Sequence, residues 1–106
     1  ASVASGAAIT YLVGGTLEQI KNTIGNVLAN IPGISCDGAK ISCAAKIATS
    51  LDAAMMAHYL AMNNKAYQPD SGILQEDAGE TISCVGYIGK EGMKQTDKEI
   101  IKIMLQ

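Results

Sequence analysis

A chain of 106 residues that is 48% hydrophobic but has no Phe and no Trp is the size of one domain, 1–106, and its apolar load of Ala, Ile, Leu, Val and Met favours closely packed helices. Eight lysines and no arginine against ten acids leave a net charge of -2 with the signs interspersed, which argues against nucleic acid as a partner, since phosphate and base recognition recruits arginine and a basic face. No apolar run approaches the roughly eighteen residues of a membrane span, and the uncharged stretch 1–15 lacks the basic start of a signal peptide, so the expectation is no membrane partner and a cytoplasmic location.

Residues 2–13 predict an Ala-rich helix ended by Gly14-Gly15. It is apolar on most sides and therefore calls for burial. Thr16 opens a second helix, with Gln19 completing a capping-box pattern. In that helix Leu17, Ile20, Ile24, Val27, Leu28 and Ile31 recur at helical spacing, while Glu18, Lys21, Asn22 and Asn26 take the opposite side. Pro32-Gly33 stops it, and a central helix is expected over about 38–63.

A turn-rich connection with Pro69 and Asp70 follows, pinned to the body through Tyr67. Glu76 and Asp77 supply first-turn acids for a fourth helix whose apolar side carries Ile82, Cys84, Val85 and Ile88, and which weakens at Gly89 and Gly92. Thr96 with Glu99 reads as a second capping box, opening a short fifth helix whose Ile100, Ile101, Ile103, Met104 and Leu105 include a core stripe. The expected fold is all-α, a compact bundle of about five helices.

Chemistry concentrates in residues 33–46, where two thiols, a carboxylate, two hydroxyls and two ammonium groups share one stretch. If Cys36 and Cys43 lay on one helix, two turns would separate them by about 10 Å, too far to hold one metal ion. If Cys36 instead precedes the helix, the positive N-terminus favours its thiolate, Ser35 or Asp37 is placed to cap, Gly38 allows close backbone approach, and Lys40 offers a charge to a carboxylate. Cys43, amid Ala44, Ala45, Ile47 and Ala48, reads equally well as packing, and Cys84 by itself reads as buried. His58, the single histidine, reads as a satisfied helix residue ahead of a catalytic one, and Met55, Met56 and Met62 as core filler.

The run Gly33-Ile34-Ser35-Cys36-Asp37-Gly38-Ala39-Lys40, continued by Ser42-Cys43-Ala44 and Lys46-Ile47, resembles the signature of the L-cysteine desulfidase family, relatives of the iron-sulfur L-serine dehydratase alpha chain. Ser71-Gly72-Ile73, Glu80-Thr81-Ile82 and the stretch from Ile88-Gly89 through Gly92-Met93, Thr96-Asp97 and Ile103-Met104 are similar to the closing region of those proteins. Members are several times longer, so the resemblance implies that this chain is their C-terminal helical portion, completed by an N-terminal portion of the same protein.

The resemblance further implies a [4Fe-4S] cluster in the full-length protein, absent or incomplete on this chain alone, with Cys36 and Cys84 as preferred ligands and Cys43 as a competitor. It implies a small amino acid as substrate, with Asp37, Gly38, Ala39 and Lys40 binding it and Lys40 as the catalytic residue or the carboxylate anchor. The implied reaction is β-elimination of L-cysteine to pyruvate, ammonia and hydrogen sulfide. L-serine dehydration is the nearest alternative, an inactive helical scaffold is the expectation for the isolated chain, and a mononuclear zinc site built from the three cysteines and Asp37 is a further alternative. A homo-oligomer is compatible with all of these.

Overall fold

The computed structural model describes residues 1–36, 38–70 and 72–106. Among the described residues the chain is helical with no strand: α1 (Ser2–Leu12), α2 (Leu17–Asn30), α3 (Ser42–Met62), α4 (Ala78–Tyr87), a π-helical turn (Ile88–Gly92) and α5 (Met93–Met104). The all-α expectation therefore holds. In place of five separate helices there are four rods, because α4, the π turn and α5 follow one another without a break.

Three rods form the packed body. α2 runs antiparallel to α1 and α3, as Thr10 of α1 meets both Thr23 of α2 and His58 of α3, while Ser2, Leu28 and Ile47 share a cleft at the opposite end. α4 lies against α2, and α5 continues from the π turn, stretching the molecule to 49 × 28 × 16 Å. No helix is long and apolar enough to cross a membrane among the described residues.

The side of α1 that faces the core is small and polar, on a helix that the sequence reads as apolar on most sides. Ser2, Gly6 and Thr10, one turn apart, are its buried residues, and Tyr11, Leu12 and Val13 stand exposed. The reason is close approach: a Cβ on Gly6 would lie 3.0 Å from the Thr23 methyl. The helix ends as expected, with Gly14 at φ +84°, a left-handed conformation natural to glycine.

The start of α2 also follows the sequence. Thr16 Oγ1 accepts from the Gln19 amide at 3.1 Å, and the Gln19 side chain accepts from the Thr16 amide at 2.9 Å. Its buried face departs from the expected stripe. Leu17 is exposed, whereas Asn26, assigned from its polarity to the solvent side, is buried beside Val27 and Leu28. Asn26 Nδ2 donates to the carbonyls of Ala57 and Lys65, and its Oδ1 accepts from the Tyr67 amide. One amide side chain thus satisfies three backbone groups, which a hydrophobe could not do. The connection before α4 is pinned at Tyr67 through this backbone amide.

Asp77 is the N-cap of α4, its carboxylate accepting from the Glu80 amide at 3.3 Å. The weak point at Gly89 and Gly92 is a π turn. Thr96, expected to cap a fifth helix, lies inside α5. The helical backbone arriving from the π turn already occupies that position, so no new start is needed.

Candidate functional site

Cys36 lies in the irregular segment between α2 and α3, and Cys43 is the second residue of α3. Their sulfurs are 3.9 Å apart. The helical reading that put them two turns apart therefore does not apply: with Cys36 off the helix, the chain folds back and brings the thiols side by side. Cys36 is exposed and Cys43 half-buried, and no disulfide joins them.

The backbone around Cys36 is shaped to face a sulfur. Gly38 and Ala39 are both left-handed, at φ +100° and +54°, an arrangement that turns successive amides toward one point. The Ala39 and then the Gly38 backbone amides, assisted by the Cys43 thiol and the Lys46 ammonium, hold the Cys36 thiol below its ordinary pKa against a small opposing effect of burial. Hydrogen-bond donors and a nearby cation favour the thiolate, so this sulfur is both a stronger nucleophile at neutral pH and a readier soft-metal ligand.

Lys46 was not singled out by sequence reasoning. It follows Cys43 by three residues on α3, which puts the two on one helix face, and it lines with Cys36, Cys43, Ile34 and Ile47 a cleft of about 370 Å³ at the open end of the bundle. The Cys43-to-Lys46 spacing was the available signal. Lys40 is exposed just before α3, with its chain near Gly38. Neither Ser35 nor any other described side chain caps α3, whose N-cap position is Ile41. Asp37, expected to bind substrate or cap, lies outside the described residues.

Gly38 also meets the C-terminal end of α5. A Cβ there would collide with the terminal methyl of Met104, the last residue of α5. The loop that presents Cys36 is thus backed by the far end of the α4–α5 rod.

Cys84 is elsewhere. It lines a separate apolar groove with Ile73, Tyr87 and Ile88, and among the described residues no three His, Cys, Asp or Glu side chains come together to hold a metal ion. Cys84 lines a different groove from Cys36, and the two described thiols that lie side by side are those of Cys36 and Cys43. Two thiolates on one tetrahedral ion, at metal–sulfur distances of about 2.3 Å, stand about 3.8 Å apart, close to the spacing seen. Iron-sulfur clusters are likewise held by cysteine thiolates, and this pair, one thiol exposed and the other half-buried, would fit such a group in donor chemistry and access.

His58 is buried at the crossing of α1, α2 and α3, its Nδ1 2.8 Å from Thr10 Oγ1. This matches a satisfied residue of the packed body.

Comparison with known proteins places these observations in a family. The chain is 48% identical over its whole length to a UPF0597 protein of Finegoldia magna, of which it covers 25%. It is 50% identical over 99% of its length to a UPF0597 protein of Lachnoclostridium phytofermentans, again covering 25% of that protein, and 45% identical over its whole length to one of Treponema denticola. The chain spans about a quarter of the length of these relatives. No solved structure matches it. The model of the serine dehydratase alpha chain family matches residues 1–102, and the chain belongs to that family.

Proposed function

We propose that this chain is the thiol-bearing helical part of an iron-sulfur lyase that eliminates sulfide from L-cysteine. The observation that carries the reading is the Cys36–Cys43 pair, 3.9 Å apart across the left-handed Gly38 and Ala39, in a chain of the serine dehydratase alpha chain family. Cys36 and Cys43 would bind the [4Fe-4S] cluster, with Cys84 or a cysteine from the remainder of the protein completing the set. When bound, such a cluster with three thiolate ligands supplies an open iron that acts as a Lewis acid on the leaving group.

The chain's own residues supply orientation and charge. The Ala39 and Gly38 amides lower the pKa of the Cys36 thiol, and the cleft beside it has room for a small amino acid. Lys46 places an ammonium group beside the thiols, and in this reading Lys40, on the exposed stretch before α3, meets the substrate carboxylate or takes the α-proton. Loss of the Cα proton and of the Cβ–S bond gives sulfide and an enamine. Its imine tautomer adds water to yield pyruvate and ammonia.

The second reading, dehydration of L-serine, is favoured by the family's own description and differs only in the leaving atom. The full-length protein, reconstituted anaerobically with iron and sulfide, is expected to release hydrogen sulfide and pyruvate from L-cysteine. Pyruvate from L-serine without sulfide from L-cysteine would replace the first reading with the second. Failure of both substrates, with the cluster present, would overturn both.

A further inference from the structure

We propose that, in the metal-free protein, Cys36 and Cys43 form a thiol–disulfide exchange site whose substrate is a low-molecular-weight disulfide and whose product is an intrachain Cys36–Cys43 disulfide. This inference does not depend on the lyase reading. It stands on three features of the geometry. The sulfurs are 3.9 Å apart, so about 2 Å of approach completes a bond of about 2.05 Å. That movement falls on irregular, exposed backbone: residues 33–36 and 38–40 are all exposed, while Cys43 is anchored in the first turn of α3. Finally, the two thiols differ in access, Cys36 being exposed and Cys43 half-buried against the cleft, which sets an order of attack.

Cys36, the accessible sulfur, attacks one sulfur of the incoming disulfide. The bond from Cys36 to that sulfur forms, the original disulfide bond breaks, and the first small thiolate leaves and takes a proton from water. Cys43, already in contact range, then attacks the Cys36 sulfur. The protein disulfide forms, the mixed disulfide breaks, and the second small thiol departs with the proton that Cys43 gives up. Two electrons pass from the cysteine pair to the small disulfide, which is reduced to two thiols. Cys84, in its own groove, takes no part.

The test uses the chain freed of metal by chelation, with glutathione disulfide as the probe, followed by alkylation of remaining thiols and peptide mapping by mass spectrometry. The expected result is two equivalents of glutathione released per chain, a single Cys36–Cys43 linkage, and Cys84 alkylated. The Cys43→Ser variant is expected to stop at a stable glutathione adduct on Cys36, and Cys36→Ser to slow release on the order of tenfold or more. Persistent adducts in the unsubstituted chain, linkages to Cys84, disulfide-linked dimers, or an adduct on Cys84 in the Cys43→Ser variant would each overturn the proposal. The unsubstituted chain alone decides the main point, so a variant that folds poorly does not leave it open.

Discussion

His58 Nδ1 lies 2.8 Å from Thr10 Oγ1, and the same hydroxyl lies 2.8 Å from Thr23 Oγ1 and 3.0 Å from the Gly6 carbonyl. Thr23 Oγ1 in turn approaches the Gln19 carbonyl at 3.0 Å. These contacts outnumber the protons that two hydroxyls can donate, and the count is best met when His58 Nδ1 carries a proton toward Thr10. Nitrogen chemical shifts of the imidazole should therefore show the Nδ1–H tautomer in the neutral ring. Thr10→Val keeps the shape but leaves His58 and Thr23 short of a partner, and should lower stability by about 1–3 kcal/mol in urea unfolding.

Asn26 should be more sensitive than any exposed polar residue of α2. Asn26→Ala removes the partner of the Ala57 and Lys65 carbonyls and of the Tyr67 amide, for an expected loss of about 2–3 kcal/mol. Hydrogen exchange should locate the damage: the Tyr67 amide exchanges faster, whereas the first turn of α2, held by Thr16 and Gln19, keeps its protection.

At Gly38, alanine meets both an unfavourable φ of +100° and the Met104 methyl. Gly38→Ala should cost about 1–2 kcal/mol from the backbone alone, and should change the alkylation rate of Cys36 by reorienting the amides beside it. Adding Met104→Ala removes the collision but leaves the dihedral, so partial recovery is expected. Full recovery would assign the whole effect to packing.

The pH dependence of Cys36 has a defined sign. Its thiol is lowered in the folded chain, so the deprotonated form is favoured by folding; that preference is present above the ordinary thiol range and fades as pH falls through the folded value. For the metal-free chain, iodoacetamide labelling of Cys36 should rise to its plateau at a lower pH than labelling of the unfolded chain does. Lys46→Gln should move the midpoint up only slightly, because the Ala39 and Gly38 amides are the larger causes and remain in place.

Local signals in the sequence carried the helix ends well: Gly14 after α1, the Thr16–Gln19 box and Asp77 before α4 each act through atoms within a few residues. Helix faces were less legible. Asn26 looks solvent-facing until the backbone groups it serves, contributed by α3 and the segment after it, are in place. Thr96 shows the same limit in reverse, a local start signal overridden by a helix already under way. At the site, spacing alone could not tell whether Cys36 and Cys43 share a helix, and it was the left-handed pair Gly38-Ala39 that turned two distant-looking thiols into neighbours. Lys46 was counted in the stretch 33–46 but given no role, because its place beside the thiols comes from that fold-back.

The contact between Gly38 and Met104 ties the loop that bears Cys36 to the far end of the α4–α5 rod. The α1–α3 body makes its mutual contacts without α5. A chain cut before α5 loses the Met104 contact and keeps those of the body, so the cut should change the alkylation rate of Cys36 more than the unfolding midpoint of α1–α3.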